Sequence, residues 1–110
     1  MTIHSVSSRD EFQAAVADHE IVVVDAFAEW CGPCKALVPK LTELSEKHQN
    51  IHFVKLDIDL LPDIAKDLGV KVVPSFYFYK NGAEASQLAG PAPGILFKTI
   101  EQLAEPQNST

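Results

Sequence analysis

The order of apolar and polar positions along the chain predicts alternating helices and strands. Ser8 stands three residues before Glu11, the spacing of a capping box at a helix start. Phe12, Ala15 and Val16 then recur at helical intervals. From residue 20 to 28 the period changes. Ile21, Val23 and Phe27 share one face of a strand with Asp25, and Val22, Val24 and Ala26 share the other. Both faces are apolar, so this strand is expected in the middle of a sheet covered on both sides. Residues 30–33 break it. The helix that follows carries Leu37, Val38, Leu41 and Leu44 as its buried stripe, with Lys35, Lys40, Glu43, Glu46 and Lys47 on the wet side. Pro39 lies inside it and predicts a kink.

Residues 51–58 read as a second buried strand. Asp59 is placed to cap a short helix that ends near Leu68, where Gly69 stops it. Pro74 opens a third strand, Ser75-Phe76-Tyr77-Phe78-Tyr79, and Asn81-Gly82 is a strong hairpin turn. Residues 87–89 lie in the return strand. Gly90-Pro91-Ala92-Pro93-Gly94 reads as a stiff loop, and Leu96, Ile100 and Leu103 mark a final helix. With one early strand near residues 3–6, the order is β-α-β-α-β-α-β-β-α. That pattern predicts an α/β fold: a central mixed five-stranded sheet flanked by four helices. Residues 1–105 are expected to form a single domain, with 106–110 a polar, disordered tail.

Composition narrows the function classes. A chain of 110 residues, 46% of them hydrophobic, can bury a core without covalent staples. Fifteen acidic residues against nine basic ones give a net charge of −6, which argues against a nucleic-acid surface. No apolar run approaches the roughly 18 residues of a membrane span. The first residues have neither the pattern of a secretory leader nor that of an organelle transit peptide. The expected location is cytoplasmic, with no nucleic-acid or membrane partner; a processed form made elsewhere stays open.

The chain has two cysteines, Cys31 and Cys34, in the run Trp30-Cys31-Gly32-Pro33-Cys34. As a staple the pair is weak. The loop is very small and stabilises less than the roughly 3 kcal/mol of a 15-residue loop. As a metal site the pair has a partner spacing, because Cys34 is followed by thirteen residues and then His48-x3-His52. Those thirteen residues read as one helix, which separates Cys34 from His48 by roughly 20 Å. Zinc ligands converge within about 2.3 Å of one ion, and His52 falls in a strand. As a redox pair the cysteines fit. Cys31 sits where a strand gives way to a helix N-terminus, which favours a thiolate. A thiolate attacks a disulfide, and Cys34, one helical turn on, can attack the mixed disulfide that results. Gly32 is expected to permit a tight turn, and Pro33 to fix a backbone angle at the helix start.

Two other residues stand out. Asp25 is a carboxylate on an apolar face; if buried, its pKa rises and it becomes a usable proton acceptor near neutral pH. If it lies near the strand end, it simply reaches water. Lys55 shares a face with Ile51 and Phe53, and would face Asp25 if the two strands are neighbours; a Lys reaching solvent is the plainer reading. His4 and His19 show no site spacing and read as surface residues.

Trp30-Cys31-Gly32-Pro33-Cys34-Lys35, preceded by Asp25 and followed by Pro39, resembles thioredoxin. So does Val73-Pro74-Ser75-Phe76, followed by Lys80-Asn81-Gly82 and Gly90. The resemblance runs from about residue 5 to residue 104. It implies a thioredoxin fold and a protein-disulfide reductase with no bound cofactor beyond a redox-active Cys31–Cys34 disulfide. It implies that Cys31 is the exposed nucleophile and Cys34 the buried resolving thiol. Asp25 would take the proton from Cys34, with Lys55 beside it. Pro74 would be cis against the cysteine pair. Trp30, Gly32, Pro33, Val73, Pro74 and Gly90 would form a flat apolar docking patch, and Pro91 its rim. Thioredoxin reductase would supply electrons from NADPH, and disulfide-containing proteins would be the substrates. The chain is expected to be mostly monomeric, with weak dimers through an exposed Trp30 patch. Two departures stand out: Phe27 occupies a position where many members carry a second Trp, and Pro91 replaces a small residue. A thioredoxin-like binding subunit, acting through the patch without turnover, is the alternative. An oxidase or isomerase role is a third.

Overall fold

A computed structural model describes residues 3–105; the expected polar tail at 106–110 lies outside them. The elements follow in the order β1 (Ile3–Ser5), α1 (Arg9–Ala17), β2 (Ile21–Phe27), α2 (Gly32–Lys47) and β3 (His52–Asp57), then α3 (Pro62–Leu68), β4 (Ser75–Lys80), β5 (Ala83–Ala89) and α4 (Pro93–Ala104). The five strands form one sheet in the order β1-β3-β2-β4-β5. β3 runs parallel to both β1 and β2, whereas β4 is antiparallel to β2 and β5. The sheet is therefore mixed, with β2 at its centre.

The alternation along β2 is the reason for the layers. Val22, Val24 and Ala26 pack with Phe12 and Val16 of α1, Ile64 of α3, and Tyr77 and Tyr79. Ile21 and Val23 pack with Leu37, Leu41 and Leu44 of α2, Leu96 and Ile100 of α4, and Phe76 and Phe78. A strand apolar on both faces is thus buried under two helical layers, each removing apolar area worth roughly 25 cal/mol per Å² from water.

The local differences from expectation have local causes. In α2 the buried stripe is Cys34, Leu37, Leu41, Leu44 and Ser45, and Val38 is exposed. Val38 lies at the edge of that stripe, one turn after Cys34, and lines the cavity beside Cys34 rather than the core. Pro39 lies inside α2, as its place in the sequence predicts, and the helix continues past it to Lys47. At α1, Ser8 accepts the N–H of Glu11 at 3.1 Å, but the Glu11 carboxylate takes the N–H of Ser7 rather than of Ser8. Asp59 does not cap α3. That helix starts at Pro62 behind Leu61, and the Asp57 carboxylate holds the preceding turn through the N–H groups of Asp59 and Leu60. Pro93 belongs to the first turn of α4, so the loop after β5 is shorter than expected. Proline there loses only an N–H that the helix leaves unpaired.

The hairpin between β4 and β5 turns at Asn81 (φ 52°) and Gly82 (φ 84°). Two successive positive φ values are the demand of a type I′ turn. Gly32 has no such demand. Its φ is not positive, and a Cβ there would meet nothing within 4 Å. The tight turn expected of Gly32 is absent because it is already the first residue of α2. We expect Gly82→Ala to cost about 1–2 kcal/mol in urea unfolding, from backbone strain alone because the surroundings are open. Gly32→Ala should change stability by less than about 0.5 kcal/mol. Equal losses for the two variants would contradict this assignment of the strain.

Candidate active site

β2 ends at Phe27 and α2 begins at Gly32, and the cysteine pair occupies this junction. Cys31 is the N-cap of α2. Its Sγ accepts the N–H of Cys34 at 3.2 Å, and its own N–H reaches the carbonyl of Ala28 at 3.1 Å. Cys31 and Cys34 are joined as a disulfide, with Cα atoms 5.3 Å apart. Sulfur thus stands at the end of the helix where unpaired N–H groups and the macrodipole favour negative charge. Both cysteines are buried, Cys31 at 3% exposure and Cys34 at 5%. The expected contrast of an exposed Cys31 and a buried Cys34 is absent in this oxidised form, where Ala28, Phe27, Ile58 and Val73 pack around the bonded pair.

Asp25 is 8% exposed, and Oδ1 has no hydrogen-bond partner. It does not reach water at a strand end, because β2 is paired on both sides at this position, to Lys55 and to Phe76. Burial pushes the carboxyl pKa up from 3.8 to about 7; the nearby Lys55 ammonium opposes the rise but does not cancel it. Asp25 and Cys34 line one cavity of about 60 Å³, together with Phe27, Glu29, Lys35 and Lys55. A space of that size admits water between polar groups. Lys55 is the register partner of Asp25, as its place in the sequence allowed. Its ammonium, however, lies 4.5 Å from the centre of the Phe27 ring, and among the described residues no ion pair joins it to Asp25.

The Val73–Pro74 peptide is cis, and Val73 packs on the cysteine pair. The Pro74 carbonyl accepts the N–H of Gly90 at 2.9 Å, which ties the loop after β5 to the site. Beside it lies an apolar groove of about 480 Å³ that contains Pro33, Val73, Pro74, Gly90 and Pro91, with a floor from Leu37 and Phe97. Trp30 is not part of that groove. Its side of the site is the β3–α3 connection, where the indole N–H donates to Asp59 Oδ2 at 2.9 Å, and it is 69% exposed.

Some participants were not read from the sequence. Asp59 has the sequence position of a helix cap, and nothing in a 29-residue separation signals a bond to Trp30. Leu37 reads only as helix core, and Phe97 carries no signal of a site in the sequence. The histidines also meet. His52 stacks on His19 with ring centres 3.7 Å apart and on His4 at 4.8 Å. Burial and then the two neighbouring imidazoles push His52 down to about 4. His4 and His19 are exposed, as expected. His48 lies at the far end of α2 from Cys34, beside Glu101, which removes the zinc-finger arrangement.

The thioredoxin family model matches residues 3–102. The chain belongs to the thioredoxin family. It is 41% identical to thioredoxin-1 of Schizosaccharomyces pombe over 99 residues, which cover 90% of this chain and 96% of that one. It is also 41% identical to thioredoxin-2 of Pyricularia oryzae over 93 residues, where the match spans about half, 54%, of the relative's length. The solved structure of a poplar thioredoxin h superposes with a TM-score of 0.89 at 28% identity, covering 97% of this chain and 100% of that one. The fold is a thioredoxin fold. The protein is a thiol–disulfide oxidoreductase whose redox group is its own cysteine pair, acting on protein disulfides; a binding role without turnover is not favoured.

The raised Asp25 pKa has a stability consequence. Between pH 4 and 7 the folded protein binds a proton that the unfolded chain has lost, so stability falls as pH rises through this window. Asp25→Asn should therefore stabilise the oxidised protein at pH 8, by at most about 4 kcal/mol, and the gain should vanish near pH 4. Urea midpoints at the two pH values test this. A gain of equal size at both would assign the effect to packing rather than charge.

Proposed function

We propose that the protein reduces disulfides in other proteins, with Cys31 attacking and Cys34 resolving. The observation that carries this division is the helix end. Only Cys31 holds the N-cap position, with its sulfur accepting an N–H of the first turn. In the reduced protein that bond and the macrodipole act on a thiolate. The Cys31 thiolate attacks one sulfur of a substrate disulfide. A bond forms between Cys31 and that sulfur, and the other substrate sulfur leaves as a thiolate. Cys34 then gives its proton to Asp25, and its sulfur attacks Cys31. The mixed disulfide breaks, the second substrate thiolate departs, and the Cys31–Cys34 disulfide remains. Two electrons pass to the substrate.

The assignment of Asp25 as proton acceptor is supported by its shared cavity with Cys34 and by a pKa near 7, which suits proton transfer at neutral pH. Lys55 lies beside it, and Gly32 and Pro33 form the first turn of α2 between the two thiols. The apolar groove along Val73, Pro74, Gly90 and Pro91 is the surface for the backbone next to a substrate disulfide, and exposed Trp30 flanks the cysteine pair on its other side. Family membership supports thioredoxin reductase, fed by NADPH, as the electron donor. The proposed setting is the cytoplasm, with the chain mostly monomeric.

Insulin reduction coupled to thioredoxin reductase and NADPH tests the reading, and an inactive wild-type protein would sink it. Cys34→Ser should accumulate mixed disulfides with substrate. Cys31→Ser should accumulate none and lose at least about 100-fold in rate.

A further inference from the structure

Lys55 is placed where an ion pair would be expected. It stands opposite Asp25 in the parallel β2–β3 pair, on the same face, in a partly enclosed cavity. Directly opposed charges on neighbouring strands attract, and a partly buried carboxylate gains from a close cation. Yet the ammonium lies over the Phe27 ring, and Asp25 Oδ1 is left without a partner. Phe27 reaches this position because it follows Asp25 by two residues in β2, on the same face and one step diagonal to Lys55. An ammonium within about 6 Å of a ring centre is held by the quadrupole of the ring.

We propose that Phe27 is a positioning residue: by holding the Lys55 ammonium, its ring keeps Lys55 from pairing with Asp25. The proposal deepens the reading of Asp25 as proton acceptor and rests on it for its catalytic meaning. A cation moved toward Asp25 would favour the ionised form. The carboxylate would then be a weaker base, and Cys34 would lose its proton less readily in the resolving step. The other groups around the ammonium do not take over the role of the ring. Asp57, on the same face of β3, spends Oδ1 on the N–H groups of Asp59 and Leu60. Glu29 and Lys35 line the same cavity, and among the described residues Glu29 forms no ion pair with Lys55, nor does the second cation, Lys35, with Asp25. The position is also distinctive in sequence, because Phe27 stands where many relatives carry tryptophan, a stronger cation binder.

The test is the titration of the Asp25 carboxyl, followed by carbon NMR in the oxidised protein. Phe27→Leu should lower the midpoint by about half a pH unit, the shift that corresponds to loss of one exposed cation–ring contact. Phe27→Tyr and Phe27→Trp should keep the wild-type midpoint, and both preserve the packing if the leucine variant folds poorly. In a Lys55→Met background, Phe27→Leu should leave the midpoint where Lys55→Met put it. A shift of the same size in that background would overturn the proposal, since Phe27 would then act through burial alone. An unchanged midpoint in the single Phe27→Leu variant would overturn it as well. The pH profile of insulin reduction separates the two levels. A profile that moves with the Asp25 midpoint supports both. A midpoint that moves under a fixed profile upholds the hold on Lys55 and overturns Asp25 as acceptor.

Discussion

The site depends on the central position of β2. Its six paired positions to β3 and six to β4 fix the strand on both edges, and two helical layers close its faces. A strand held in this way has a fixed end. Residues 28–31 therefore leave the sheet at one place, and the N-terminus of α2 is aimed there. The charge preference of a helix end extends only over its first turn, so a sulfur slightly displaced from the cap would gain little. Rigid pairing upstream is what makes the local electrostatics at Cys31 usable.

The same strand imposes the main conflict in the molecule. The alternation that buries Ile21 and Val23 also turns Asp25 inward, where a carboxylate is unfavourable without partners. Nothing in the fold removes the cost. Its register neighbour is a lysine, but that lysine is engaged by an aromatic ring. A stability-optimised sheet would place an apolar residue at this position or let the ion pair form. The arrangement is what is expected where function and stability compete, with a group kept near its protonation midpoint at the expense of the folded state. Burial raises the pKa, the cation pulls it back, and the geometry of Phe27 sets how far. The three side chains act on one proton and cannot be assigned separate contributions.

Most of the fold was legible in the sequence because period and turn chemistry agree. The two-faced apolar pattern of β2 located it in the centre, and Asn81-Gly82 located the hairpin. The Asp25–Lys55 opposition followed once the strands were neighbours. What was not legible rests on side-chain competition or on the bonding state. Asp59 had the spacing of a cap, but Asp57 reached the same turn first and left Asp59 for Trp30. Both cysteines are buried in the bonded pair, and a residue string does not record that bond. The place of the Lys55 ammonium depends on a balance between a ring and two carboxylates, and no periodicity encodes that balance. The meeting of His4, His19 and His52 required the parallel β1–β3 register and the end of α1 together.

The two flanks of the cysteine pair differ in kind, and this bears on what can lie across them. On one flank Trp30 is tied by a polar bond to Asp59, so its ring is exposed but oriented. On the other, the chain from Gly90 to Pro93 is poor in donors. The Gly90 N–H is already spent on the Pro74 carbonyl, and Pro91 and Pro93 have none. A partner backbone approaching that edge must therefore bring its own N–H groups to carbonyls, or rely on apolar contact with the groove floored by Leu37 and Phe97. Apolar contact tolerates many side chains, because it depends on area more than on direction. Pro91 thus narrows the polar vocabulary of this edge without closing it. In the proposed docking mode, the apolar flank supplies breadth toward different protein disulfides, and the tethered indole orients the approaching chain.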